Sequence, residues 1–286
     1  MKKSLVVLLA ACILLLAACA GLAVSDPVPL AELPEAVPAE TAYEEPEYGV
    51  TPFTSGDQIK SEDGEEQVLA LYNYQIVLLE LRNGEEVSPE DAEAAERTVE
   101  AFNGKMRSVL AELVEQGKAM GEDAREAYKE FGAPAEEYED GAAVSAEFCG
   151  CVVSLCLERG SYTGGAHPNR YTVGYLFDLR SCQFIDPTQI AEDPETFRTG
   201  AAAVLLEQAE DHPERASFWE DYAEVIARWN EGTVLFDGEG MQVVYSPYEL
   251  GPYAIGEVVF RLDWEELSPL IGESGMELLG EQQAFK

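Results

Sequence analysis

The hydrophobic pattern becomes regular at Gln67. Val68-Leu69-Ala70-Leu71-Tyr72-Asn73-Tyr74-Gln75-Ile76-Val77-Leu78-Leu79-Glu80-Leu81 is rich in β-formers and partly alternates, which predicts one long strand or two short ones ended by Asn83-Gly84. Ser88-Pro89-Glu90-Asp91 then opens a helix, with Ser as N-cap, Pro in the first turn and acids at the positive end of the dipole. Ala92, Ala95, Val99, Phe102, Met106, Val109 and Leu113 follow at three- and four-residue steps, one apolar stripe of an amphipathic helix. Gly117 and Gly121 weaken it. Ala124, Tyr128 and Phe131 continue as a second helix or a bent extension, stopped by Gly132-Ala133-Pro134.

Val144 to Glu158 reads as a long strand and Tyr171 to Leu179 as another, with a loop between them. Arg180-Ser181 turns the chain into Cys182–Ile185. Pro194–Ala209 and Phe218–Asn230 have helical spacing, the second with Trp219, Tyr222, Val225, Ile226 and Trp229 on its apolar side. Thr233–Asp237 and Met241–Tyr245 flank Gly238-Glu239-Gly240, a hairpin signal. Glu257–Leu262 is a last strand, and Asp263–Leu267 a short closing helix. Strands and helices mix without βαβ alternation. The expected class is therefore α+β, antiparallel strands with packed helices. Two small subdomains are expected, 67–180 and 181–270, followed by a peripheral acidic tail at 271–286.

The first 66 residues have a different composition. Met1-Lys2-Lys3, the apolar run Leu5–Leu16, and Leu16-Ala17-Ala18-Cys19 have the layout of a secretory signal with cysteine at the first mature position. Residues 1–18 are read as a lipoprotein signal peptide and Cys19 as the lipidated residue. The expected location is the extracytoplasmic face of the cell membrane, held by lipid. Pro27, Pro29, Pro34, Pro38, Pro46 and Pro52 stand among Ala and Glu, so 19–66 reads as a disordered, self-repelling tether.

Charge narrows the partners. Eighteen Lys and Arg face 55 Asp and Glu, a net of −37. Nucleic acid is not an expected partner, since phosphate binding needs Lys and Arg to release counterions. Solubility and cationic partners are favoured. Two histidines, far apart in sequence, rule out a multi-His metal site, and no Gly-rich phosphate loop is present; no metal and no cofactor are expected. The acids Glu136, Glu137, Glu139 and Asp140 lack the order of a calcium loop. Cys149 and Cys151, two apart on one strand, are expected on the same face, with Cys156 on the other. Either thiol bridges to Cys182 across a hairpin, or all stay free. Cys151 with His167 would make a nucleophile pair only if the strands brought them within hydrogen-bond reach.

The candidate site is Ser161-Tyr162-Thr163-Gly164-Gly165-Ala166-His167-Pro168-Asn169. Gly164 and Gly165 free the backbone beside His167, and Asn169 adds a polar group. The stretch is either a binding loop or a turn that His167 fixes by bonding backbone. Tyr248 and Tyr253, in Ser246-Pro247-Tyr248-Glu249-Leu250-Gly251-Pro252-Tyr253-Ala254-Ile255-Gly256, either stack a glycan or pack their own loop. His212 reads as a surface residue at a helix start.

Ser154 on a strand, the Gly164-Gly165-Ala166-His167 loop, Phe177-Asp178-Leu179 and the Pro-Tyr loop together resemble a bacterial extracytoplasmic module. That family forms the lysozyme-binding part of anti-sigma-V factors and the N-terminal module of a peptidoglycan deacetylase; it also occurs alone in lipoproteins. The resemblance covers about residues 67 to 270. It implies binding at the envelope, while the anti-sigma and deacetylase roles belong to other parts of those proteins. The resulting expectation is a non-catalytic lipoprotein that binds or senses a cationic protein such as lysozyme, or a peptidoglycan fragment. The alternatives are a glycan-modifying enzyme working through His167 and nearby carboxylates, and a structural envelope component.

Overall fold

The computed structural model describes residues 43–64, 66–132 and 136–280. The signal-like start, Cys12, Cys19 and the tether as far as residue 42 lie outside the described residues. Strands β1 (Tyr48–Lys60), β2 (Val68–Leu81), β3 (Tyr138–Cys149), β4 (Val152–Tyr162), β5 (Asn169–Asp178) and β6 (Gln183–Ile185) form one six-stranded sheet in sequential order. Strands β7 (Thr233–Asp237), β8 (Gly240–Tyr245) and β9 (Val258–Asp263) form a second. Helices α1 (Pro89–Phe131), α2 (Pro194–Glu210), α3 (Tyr222–Ala227) and α4 (Trp264–Leu279) complete an α+β fold.

Helix α1 lies on one face of the large sheet. Phe102, Met106, Leu110 and Leu113 pack there on Tyr74, Ile76, Val153, Leu155 and Phe177. The helix starts where the sequence places it, with the Ser88 side chain accepting from the Asp91 N–H. It runs unbroken through the two glycines thought to weaken it. A side chain at Gly117 would meet the Tyr74 hydroxyl at 2.5 Å, and one at Gly121 would meet Ile59 at 2.5 Å. Both glycines mark places where the helix presses against strands, and that contact outweighs their poor propensity.

The small sheet with α2 and α4 covers part of the opposite face. Trp229, Phe197, Phe236 and Leu262 share a core with Cys149, Val152 and Leu176 of the large sheet. The expected boundary at 180/181 does not separate the sheets, since β6 joins the large sheet, and the two sheets share common packing. The Phe236 N–H donates to Ser154 Oγ at 2.9 Å, and Thr233 Oγ1 to the Thr172 carbonyl at 2.6 Å. Gly174 lies against the Val234 backbone with no space for a side chain.

Several expectations need correction. The tether does not extend to residue 66: Tyr48–Lys60 is a strand paired antiparallel with β2 along its length. Pro52 and the polar residues of β1 are compatible with pairing at an edge, because an edge strand leaves one side unbonded and exposed. The sheet is not wholly antiparallel, since β2 and β3 run parallel with α1 as the long crossover between them. The long strand predicted over 144–158 is a hairpin that turns at Gly150 and Cys151, with Gly150 at φ +57°. The predicted helix 218–230 is one short helix, α3, between 3₁₀ turns. The segment after residue 270 is not peripheral as far as it is described: α4 reaches Leu279, Ile271, Leu278 and Leu279 are buried, and the Cys151 N–H donates to the Leu278 carbonyl at 2.8 Å.

Candidate functional site

Strand β4 ends in the Gly164-Gly165-Ala166-His167 loop and β5 leaves it. Gly164 and Gly165 sit at φ +90° and +110° with nothing near a would-be Cβ. Backbone conformation alone therefore demands glycine at both. The His167 ring stacks on Tyr253 with centroids 3.7 Å apart and planes 12° apart. Its Nε2 lies 3.2 Å from the Tyr248 hydroxyl and its Nδ1 3.1 Å from the Pro168 carbonyl. The structure thus brings together His167, Tyr248 and Tyr253, from motifs about 80 residues apart. Tyr248 adopts φ +78°, unusual for a bulky residue, and its carbonyl accepts from Trp219 Nε1 at 3.3 Å. Glu249 caps the Ser246 N–H; burial pushes its carboxyl above the ordinary glutamate range, and that bond partly opposes it. Asn169 opens β5 opposite Ser161, exposed and without a hydrogen bond to the histidine.

Below these loops the far face of the large sheet is left uncovered, because the small sheet sits over its other end. The opening is a cleft of about 750 Å³ between β2–β5 and the Pro-Tyr loop. It shares Glu139, Gly160 and Arg170 with a second hollow of about 810 Å³ beside His167. Glu139, Glu158 and Arg170 face the opening and form no ion pair among the described residues, while Glu257 accepts from Thr172 Oγ1 at 2.8 Å. Asp140 and Arg159 also border the cleft, but they are spent on each other. Arg159 Nε donates to Asp140 Oδ1 at 2.8 Å and its Nη2 to Oδ2, and the Tyr74 hydroxyl donates to Oδ2 at 2.7 Å. The bond to Asp140 raises the Arg159 pKa, so the guanidinium stays charged.

The other candidates are not drawn into the site. His212 stacks near Phe218 and accepts from the Glu214 N–H. The Cys151–His167 pair does not form. The two residues lie at opposite ends of the 11-residue β4, a strand length of roughly 33 Å. Cys149 and Cys151 flank a turn and do not share a strand face. The four cysteines of the described chain are free thiols. Burial pushes Cys149 up to about 12 and Cys156 up to about 11. Native alkylation with iodoacetamide at pH 8, read by peptide mass spectrometry, is expected to leave Cys149 unmodified until the chain is denatured. Among the described residues no three His, Cys, Asp or Glu side chains gather as metal ligands, and no helix is long and apolar enough to cross a membrane.

Sequence reasoning missed Gly141, Gly160, Glu158 and Arg170, and weighed Glu139 only as part of a calcium loop. The signal was present as glycine inside two otherwise regular strands, a mark of a bend or a close approach.

The two packed sheets and the paired loops over an open sheet face define an α+β domain with an open cleft. A solved protein described as a member of the DUF3298 family has this fold. That protein, from Bacteroides fragilis, aligns over 83% of this chain and 98% of its own, with a TM-score of 0.57 and 17% identity. A second so described, from Pseudomonas aeruginosa, aligns over 80% and 96%, with a TM-score of 0.48 and 16% identity. No family model matches the sequence, and no curated protein matches it.

Proposed function

We propose that this chain is a non-catalytic binding or sensing module of the cell envelope. A lipid on Cys19 holds it at the outer face of the membrane, and its partner binds at the cleft below the His167 and Pro-Tyr loops. The observation that carries this reading is the meeting of the two sequence motifs at one open cleft whose acids Glu139 and Glu158 are unpaired. Binding, not turnover, is favoured because His167 spends its ring nitrogens on Tyr248 and Pro168, and because burial keeps Cys149 and Cys156 protonated. A net charge of −37 favours a cationic partner. The resemblance to lysozyme-binding modules makes lysozyme the first candidate. Immobilised residues 43–286 are expected to retain lysozyme at low salt and, more weakly, at physiological salt. No retention at either salt sinks the cationic-protein reading. A peptidoglycan fragment is the second candidate partner, supported by Tyr253 lining the cleft, with the exposed Tyr248 beside the same histidine. Release of products from peptidoglycan, abolished by His167→Ala, would replace the binding reading with an enzymatic one.

A further inference from the structure

The floor of the cleft has a feature that fold stability does not require. Register aligns Asn73 with Gly141, Gly141 with Gly160, and Gly160 with Arg170, so these four form one row across β2, β3, β4 and β5. The two middle positions carry no side chain. Neither glycine has a positive φ. A Cβ at Gly141 would come no nearer than 3.6 Å to any atom and one at Gly160 no nearer than 3.9 Å, ordinary contact distances. Packing and backbone would accept alanine at both. Glycine inside a strand costs roughly 0.5–1 kcal/mol relative to alanine. What the pair provides is depth: bare backbone under the Pro-Tyr loop, where another molecule can lie close to the sheet.

The chemistry around that floor has both signs. Arg170 ends the row on one side. Glu139 and Glu158 flank it, each two residues along its strand from a floor glycine and therefore on the same face. Arg170 and Glu158 stand diagonally on neighbouring strands, where opposite charges often pair, yet Arg170 bonds neither acid among the described residues. Arg159, next to Gly160 along β4, points to the opposite face of the sheet, where Asp140 and Gln116 of α1 hold it. Arg170 is thus left with its donors for a carboxylate, and Glu139, two strands away, with its acceptor oxygens for an ammonium. Two strand spacings separate Arg170 from the β3 side of the floor, roughly 10 Å. An extended tripeptide also spans roughly 10 Å. The volume of about 750 Å³ is that of a small-molecule site.

We propose that the cleft takes a short zwitterionic peptide, lying across Gly141 and Gly160 with its carboxylate on Arg170 and its ammonium toward Glu139 on β3. This rests on reading the cleft as the binding site, and it does not depend on a cationic protein partner. Calorimetry of residues 43–286 with trialanine, N-acetyl-trialanine and trialanine amide tests it. Trialanine is expected to bind, and each blocked form at least tenfold more weakly. Arg170→Gln should erase the difference between trialanine and its amide. Glu139→Gln should erase that between trialanine and its N-acetyl form. Gly160→Val, checked for an unchanged melting curve, should abolish binding. A Gly160→Val chain that does not fold is replaced by Gly141→Ala and Gly160→Ala, which should weaken trialanine several-fold. Absence of trialanine binding, equal affinity for the blocked forms, or variants that keep their selectivity would overturn the assignment. Lysozyme retention without trialanine binding overturns this inference alone, whereas trialanine binding without lysozyme retention leaves it standing and removes only the cationic-protein partner.

Discussion

A chain begun at Gln67 is expected to fold far less stably than one begun at Tyr43. The shorter chain lacks β1, which pairs with β2 from Tyr48–Leu81 to Lys60–Val68. It also lacks Ile59, which is buried against α1 at Gly121. Emptying a buried isoleucine seat alone costs about 2–5 kcal/mol. For a domain of this size that corresponds to a fall in melting temperature of about 4–20 °C. The deletion further exposes the edge of β2, a long strand rich in Leu, Ile, Val and Tyr, to strand-by-strand association. Thermal melts and light scattering of the two chains check this. Equal melting temperatures with no gain in aggregation would mean that residues 43–66 are the spacer their composition suggests.

That spacer-like composition shows why the start of the fold was hard to read. Residues 48–60 carry proline, glycine, serine and aspartate, and only Ile59 among the side chains on the α1 side is deeply buried. Their place comes from β2, whose own pattern is strong and which needs a neighbour. Periodicity over one window cannot show a partner. The α1 stripe, the β7–β8 hairpin and the helix starts at Ser88, Asp193 and Asp263 were legible because each is decided by adjacent residues. Gly117 and Gly121 misled for the opposite reason: their cause lies in Tyr74 and Ile59, some 40 to 60 positions earlier. The same holds at Gly150 and Cys151, where a two-residue turn splits an apolar run that reads as continuous.

The candidate site was half legible. The positive-φ glycines and His167 stood out by residue type, and so did Tyr248 and Tyr253. Their contact depends on the small sheet docking beside β5, through Gly174 and through Ser246 Oγ, which accepts from the Thr172 N–H at 3.0 Å. Nothing local specifies that docking. The floor was not legible at all as a floor, because Gly141 and Gly160 become neighbours only through the β3–β4 register. Charge was informative in sum and silent in detail. A net of −37 does not reveal that Arg170 stays unpaired while Arg159 is consumed.

Removing one member of the Tyr74–Asp140–Arg159 cluster is expected to be among the most damaging single changes in the domain. Asp140 is 3% exposed and lies on β3, held by Arg159 of β4 and by Tyr74 of β2. It therefore ties the parallel β2–β3 pair to the hairpin that carries the cleft floor. Arg159→Met leaves a buried carboxylate with only a tyrosine for partner, a loss of about 3–5 kcal/mol. Asp140→Leu together with Arg159→Met removes both charges and is expected to cost much less than the sum of the single changes. A buried ion pair gives back in attraction little more than it loses in desolvation. Urea unfolding of the two single variants and the double gives the coupling directly. Additive losses would mean that the pair is solvated and that its short contacts carry little energy. The same cluster sets an alkaline limit. Burial first, and then the bond to Asp140, raise the Tyr74 hydroxyl above the tyrosine range. The folded state therefore holds this proton where the unfolded chain releases it, near pH 10. Its contribution to stability is complete below that pH and declines as pH rises toward the folded value. Tyr74→Phe should lower stability at pH 7 by about 1.5–3 kcal/mol through loss of a bond to a charged acceptor, while flattening the fall above pH 10. A variant with the wild-type alkaline slope would assign that slope to other tyrosines, of which Tyr245, buried with an unpartnered hydroxyl, is the first to replace.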